Sequence, residues 1–447
     1  MPFIELDYQL DTAAYFQALA HLPYAIWLDS CRAYQNRGRF DIMSAEPKTL
    51  LKTKNRLTHI HHNGLNHSSD ESIFDLVKIE LQKLPQLSFE IELPFSLGAM
   101  GYYGYDIGRQ LEDLAESLAR KHSLPDACIG IYEWSLVVDH EQQKTYLIGY
   151  DATKLTEIAS LIKENPSPLN PFQLNTPFKA DMTRAEYEQS FNTIRQHLID
   201  GDCYQVNLCQ RFSTSFSGSP LAAFLELRQK SPAPFAAYMT LDEGAILSLS
   251  PERFIQAKKT QVLTQPIKGT RARHHDPQLD QASAQALLAS SKDHAENLMI
   301  VDLMRNDLSH SCKPGSIKVP KLFELQSFSN VHHLVSSIEA ELASDQHPLD
   351  LLKKCFPGGS ITGAPKISAM NIIEKTEKQP RSVYCGSLGY YSIDEQMDTN
   401  IAIRTLLCEG DRIYAYAGGG IVIDSDCEAE YQESLTKINN LLKAFHG

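Results

Sequence analysis

The sequence predicts an α+β fold, a sandwich of β-sheets with helices on its outside. Two observations carry this. Strand-like runs recur along the whole chain, mixed with helical stretches, and they lack the regular strand–helix alternation of a parallel sheet. The 447 residues, 43% of them apolar, suffice for a large core, in one very large domain or in two to three ordinary ones.

In chain order, SLVVDH and KTYLIGY read as short strands. Residues 163–179, KENPSPLNPFQLNTPFK, hold four prolines and neither a helical nor a strand period, so they predict an exposed connector between an N-terminal region, 1–165, and a C-terminal one, 180–447. The next stretch, TRAEYEQSFNTIRQHLIDG, predicts a helix: Thr183 and Glu186 have capping-box spacing and Gly201 can close the other end. CYQVNLCQRFSTSF, YMTLDEGAILSLS and RIYAYAGGGIVI read as strands. KDHAENLMIVDLMRNDLS, residues 292–309, predicts a largely buried helix, because its apolar residues fill most of the circumference. The last helix carries an apolar stripe of Tyr431, Leu435, Ile438, Leu442 and Phe445. No internal repeat or low-complexity tract is present.

Charge narrows the function. A formal charge of -13 argues against nucleic acid as main partner, so any anion site must be local. The N-terminus MPFIELDYQL lacks a basic segment followed by an apolar one, and no uninterrupted apolar run reaches membrane length, so neither secretion nor membrane insertion is expected. Nine cysteines without a C-x-x-C pair suit reduced thiols in a cytoplasm.

Several side chains have the chemistry for a site. Glu296 lies beside an apolar run, either as a helix-dipole carboxylate or as part of a functional cluster. Glu430, Glu433 and Lys437 fall at i, i+3 and i+7 on one stripe of the last helix. They are either a solvated face or, with a third carboxylate such as Glu296, oxygen ligands for magnesium. The glycines at 418–420 end a strand, marking either a bend or a place where backbone N–H groups approach a carboxylate. In PGGSITGAPK, Gly358 and Gly363 have the spacing of a phosphate loop, yet Ala364 and Pro365 replace its Lys and Ser/Thr. Thr362 and Gly363 then mark a helix entrance, with Pro365 near the first helical position and Thr362 a candidate anion contact. Glu252, just past an apolar strand in LSLSPERF, and His333, in SNVHHLVSS, are acid–base candidates. Lys268, in TQPIKGTRAR, is by local rules a loop charge.

Taken together and in order, SPERF, PIKGTR, AENLMIVDLMRNDL, VHHLVS, PGGSITGAPK, AIRT, YAGGGIV and the EAEYQES helix resemble the chorismate-utilising enzymes across residues 180–447. PYAIWLDS, RFDIMSAEP and GYYGYDIGR extend the resemblance to nearly the whole chain. It implies a large antiparallel β-sandwich with outer helices, to which both halves contribute strands. Relatives that form anthranilate or isochorismate usually carry Ala where Lys268 stands, whereas those of the folate and p-aminobenzoate route keep PIKGT. By that resemblance Lys268 is a nucleophile that attacks C2 of chorismate, after which ammonia enters at C4.

The resemblance also makes Glu252 the acid and base, and Glu296, Glu430 and Glu433 the holders of Mg2+. His333, Thr362, Tyr414, Arg404, Lys437 and the backbone of Gly418 and Gly419 surround the substrate. Gln205 stands where water-activating relatives have a lysine, which disfavours water addition at C2. A neutral Lys268 requires burial or a nearby cation, and Arg271 and Arg273 are close in sequence. No cysteine lies in a G-x-C-x-G elbow, so a separate glutaminase subunit is implied as the ammonia source. Ser30 resembles the place where anthranilate synthases bind tryptophan, although LDS replaces the usual Leu-Glu-Ser. The rival activity is anthranilate formation; a rival of another class is a catalytically silent regulatory subunit.

Overall fold

In the computed structural model, which describes all residues except 36, 86–90, 113, 115–122, 165, 329, 330, 446 and 447, the architecture is α+β. Two antiparallel sheets, of 13 and 12 strands among the described residues, carry helices on their outer faces. The first sheet runs Phe3–Leu6, Lys144–Gly149, Trp134–Asp139, Phe40–Ser44, Ile26–Asp29, Phe235–Leu241, Gly244–Ser250, Thr405–Glu409, Arg412–Ile421, Gln205–Ser217 and Gln173–Leu174. The second places Ile267–Ala272 beside Val331–Glu341 at one end, with Gly98–Tyr103, Ala127–Tyr132 and Thr49–Lys54 toward the other.

Both sheets therefore draw strands from both sides of the proline-rich stretch. That stretch is no structural border, and its residue 165 lies outside the described residues. Gln173–Leu174 and Lys179–Ala180 within it pair with Gln205–Ser217, a short pairing that its prolines concealed.

Local rules explain the clearest elements. The Arg184–Asp200 helix starts on a capping box in which Thr183 and Glu186 bond each other's backbone, and stops at Gly201, whose φ of 80° is open to glycine without strain. Phe235–Leu241 and Gly244–Ser250 form a hairpin around Asp242 and Glu243. One expectation needs correction: the Ser291–Ser309 helix buries one face only, through Asn297, Ile300, Val301, Met304, Asp307 and Leu308, while Leu298 is exposed. An apolar run longer than one face needs left residues over for solvent.

Three cores result. One fills the space between the sheets; a second, built on Trp27, Phe16, Phe224 and Leu247, lies under the outer helices; a third gathers Tyr187, Phe191, Ile194, Val206, Ile373 and Ile421. Beside the second is a buried ionic corner. Arg228 donates to both oxygens of Asp29, at 2.6 and 3.2 Å, and to Asp11 at 2.7 Å. Replacing Arg228 by Met should lower stability by about 3–5 kcal/mol, because Asp29 stays buried without its partner. Urea unfolding will show this, and Asp29→Asn added to that variant should recover much of the loss.

Ser30 belongs to the same corner. Its N–H and hydroxyl both donate to Asp41, at 2.8 and 2.7 Å, and Asp41 also accepts from Thr12. Ser30, the residue that the tryptophan resemblance singles out, is thus buried and bonded to Asp41. All nine cysteines are free. No helix among the described residues is long and apolar enough to cross a membrane.

Candidate active site

Lys268 sits on a strand, not in a loop. Ile267–Ala272 pairs with Val331–Glu341, and the register shifts between Ile267 and Thr270, so the strand bulges at Lys268 and Gly269. A bulge bends the strand and re-aims a side chain. Gly269 adopts φ 84° and packs so closely on Leu287 and Asp293 that a Cβ would lie 2.9 and 3.1 Å from them. The Lys268 amine turns inward and donates to the carbonyl of Ser360 at 3.1 Å. Burial pulls its pKa below the usual lysine value, with Lys437 pushing the same way and the Glu296 and Glu252 carboxylates opposing. Arg271 and Arg273 take no part: Arg271 binds Asp293 and Arg273 binds Asp280. Alternation along a strand made their nearness in sequence misleading.

Glu252 follows the Gly244–Ser250 strand and is 4% exposed. The Ser360 hydroxyl donates to its Oε1 at 2.8 Å. Burial raises the Glu252 pKa to about 7, against the pull of the Ser360 hydrogen bond, the Lys268 charge and the Ile267 N–H. Nucleophile and acid candidates, distant in sequence, thus meet at one residue of the PGGSITGAPK turn.

That turn is anchored from the first sheet. Asn207 donates through Nδ2 to the Ser360 carbonyl at 3.2 Å, and Gln205 donates to Asn207 Oδ1 at 3.0 Å. Gln205 is fully buried, and its Oε1 has no partner among the described residues. Thr362 departs from the helix-entrance reading. Its hydroxyl donates back to the Gly358 carbonyl at 3.0 Å, and the helix begins only at Lys366, with Pro365 as its cap. The Thr362 side chain therefore closes its own turn.

Glu430 and Glu433 converge around Gly419, and Lys292 links Glu430 to Glu296. This glycine stands in a paired strand, opposite Leu208, with no bend. A Cβ on it would lie 3.0 Å from Glu430 Oε2, 3.8 Å from Glu433 Oε1 and 3.9 Å from the Lys437 amine. Lys292 reaches Glu296 at 3.9 Å and Glu430 at 3.8 Å, and Lys437 binds Glu433 at 2.7 Å and the Gly418 carbonyl at 2.9 Å. Burial raises the pKa of Glu296 and of Glu430, although Lys268 and Lys292 lower the first and Ser425 and the lysines the second. Hard carboxylate oxygens suit a divalent cation such as Mg2+. With ammonium groups now neutralising them, no cluster of three or more His, Cys, Asp or Glu among the described residues has metal-binding separation. The donors fit the ion in kind, and Lys292 lies between two of them.

His333 and Arg404 lie near each other. His333 Nδ1 bonds the Thr270 hydroxyl at 2.8 Å, and its Nε2 has no partner among the described residues. Burial, reinforced by Arg404, holds its pKa down to about 3, so the ring is neutral. Burial lowers the pKa of Arg404, whose φ is 51°, and no carboxylate among the described residues pairs with it. A buried guanidinium without a partner calls for an anion. Tyr414 is set apart: its ring lies under the Arg211 guanidinium at 4.8 Å, four residues or about 13 Å along the strand from Gly418.

Sequence reasoning missed Ser360, Asn207 and Lys292. Each had a faint signal. Asn207 shares a strand face with Gln205, Lys292 precedes Glu296 by one helical turn, and Ser360 lies inside a quoted motif.

An antiparallel sandwich with a lysine, a buried acid and a carboxylate cluster at the meeting of its sheets defines a class of enzyme. The chain belongs to the family of chorismate binding enzymes, whose model matches residues 23–443. Within it, the chain is a homologue of aminodeoxychorismate synthase component 1. It is 46% identical to that protein of Salmonella typhimurium over 98% of this chain and 97% of the relative, and 45% identical, with the same two coverages, to that of Escherichia coli K12. Among solved structures, anthranilate synthase component I from Streptococcus pneumoniae superposes with a TM-score of 0.82 at 32% identity, covering 90% of this chain and 92% of that one.

Proposed function

We propose that this chain aminates chorismate at C4, giving 4-amino-4-deoxychorismate for the p-aminobenzoate and folate route, through a covalent Lys268 adduct. The observation that carries the reading is the meeting of Lys268 and Glu252 on Ser360, an amine depressed by burial beside a carboxyl raised by it. Both displacements favour the uncharged forms, which are the ones a nucleophile and an acid need.

The neutral Lys268 amine attacks C2 while both conjugated ring double bonds shift and the C4–O bond breaks. Glu252 gives its proton to the departing hydroxyl, which leaves as water. The adduct nitrogen is now a secondary ammonium and Glu252 a carboxylate. Ammonia then attacks C4, both double bonds shift back, and the C2–N bond breaks to release Lys268 as the free amine. Glu252 takes the extra proton from the new C4 ammonium. The sum is chorismate plus ammonia to aminodeoxychorismate plus water.

Arg404 pairs with a substrate carboxylate, and neutral His333 offers Nε2 to the same part of the molecule. Gln205, an amide without basicity, leaves water at C2 unactivated. Glu296, Glu430 and Glu433 would hold Mg2+, which when bound screens the negative charge of the substrate carboxylate. Ammonia comes from a partner glutaminase, since no cysteine here has a nucleophile elbow.

The test is incubation of the pure chain with chorismate, magnesium and ammonium salt, followed by chromatography. Aminodeoxychorismate is the expected product; anthranilate as sole product overturns the reading. Chelation with EDTA should stop turnover and added magnesium restore it. Glutamine in place of ammonium should give nothing until a glutaminase subunit is added.

A further inference from the structure

We propose that Ser360 is a positioning residue for this reaction, its hydroxyl orienting the Glu252 carboxyl while its carbonyl holds the Lys268 amine, so that one residue sets acid and nucleophile against each other. The inference rests on the amination reading for the roles of those two groups. It adds a residue that touches neither the metal cluster nor the ring-binding side chains.

Three hydrogen bonds define it. The hydroxyl donates to Glu252 at 2.8 Å, and the carbonyl accepts from Lys268 at 3.1 Å and from Asn207 at 3.2 Å. The second donor on the carbonyl matters, because it fixes the peptide plane whether or not Lys268 is engaged with substrate.

The turn holds its shape without the Ser360 side chain. The Thr362 hydroxyl bonds the Gly358 carbonyl at 3.0 Å, the Asn207 N–H bonds the Thr362 carbonyl at 2.8 Å, and the buried Arg381 bonds the Ile361 carbonyl at 2.7 Å. Gly358 and Gly359 press on Ile401 and Leu303 so tightly that a Cβ on either would lie 2.6 Å from the neighbour. The backbone is thus clamped on both sides of residue 360. Its hydroxyl is left for a partner outside the turn, and the partner is Glu252.

Facing Glu252 are this hydroxyl, the Lys268 amine and the Ile267 N–H. A hydroxyl donating to a carboxylate stabilises the charged form and lowers the pKa. Ser360 therefore tempers the rise that burial imposes, keeping Glu252 near 7, where it can give a proton in one half-reaction and take one in the next. Without the hydroxyl, Glu252 should rise further.

The experiment compares ammonia-dependent kinetics of wild type, Ser360→Ala and Ser360→Thr across pH. In Ser360→Ala, kcat should fall about tenfold or more with little change in KM for chorismate. The limb of the profile that titrates with Glu252 should move up by about one pH unit. Ser360→Thr, which keeps the hydroxyl, should return the limb to its wild-type place. Ser360→Cys, a weaker donor of similar size, supplies the same readouts if the alanine variant does not fold. An unmoved limb in Ser360→Ala, with or without loss of activity, overturns the proposal, as does a threonine variant displaced like the alanine one. Mass spectrometry of the wild-type Lys268 peptide during turnover separates the two readings. A missing adduct there sinks the covalent step, while the limb shift still judges the contact of Ser360 with Glu252.

Discussion

Replacing Lys268 by Ala will stop ammonia-dependent formation of aminodeoxychorismate, with kcat falling on the order of a thousandfold or more. The size follows from the role. A nucleophile that splits one hard substitution into two cannot be replaced by its neighbours, and removing it returns the barrier of direct displacement at C4. The variant should fold, because the amine makes a single hydrogen bond, to the Ser360 carbonyl, which keeps Asn207 as a donor. Circular dichroism and the melting temperature check this. The covalent adduct seen by mass on the wild-type peptide should vanish, and Lys268→Ala retaining more than a tenth of wild-type turnover would falsify the nucleophile assignment.

Glu252→Gln should cost about a hundred- to ten-thousandfold in kcat, the range of a general acid–base residue. The amide keeps an oxygen for the Ser360 hydroxyl but can neither give nor take the proton. Its pH profile should lose the limb near 7, which in wild type reports Glu252. Stability makes an independent check. A carboxyl whose pKa is raised in the fold binds its proton more tightly there than in the unfolded chain, so wild type loses stability as pH rises from the ordinary glutamate range through about 7. Glu252→Gln should lack that decline. A variant whose urea midpoint falls with pH as steeply as wild type would contradict the burial of this charge.

The sequence made some elements plain and hid others for a definable reason. The Thr183 capping box and the Gly201 stop depend on residues within a few positions of one another, so spacing was enough. The family motifs named Lys268 and Glu252. What joins them was hidden, because Lys268 meets Ser360 across 92 residues and Ser360 meets Glu252 across 108. Arg271 and Arg273 were drawn in by proximity along the chain and are held instead by Asp293 and Asp280. Thr362 looked like a helix-terminus contact until the helix proved to begin later. Tyr414 shares a strand with Gly418 but not its neighbourhood.

The order of strands in the first sheet has a further consequence, one for the chain as it leaves the ribosome. Gln205–Ser217 carries Gln205 and Asn207, yet its main neighbour is Arg412–Ile421, which is made about 200 residues later. At translation speeds of about 5–20 residues per second, that strand waits roughly 10 to 40 s with one long edge unpaired. An unpaired edge is a template for other chains. Until Arg412–Ile421 has been made, the strand that carries Gln205 and Asn207 lacks its main partner.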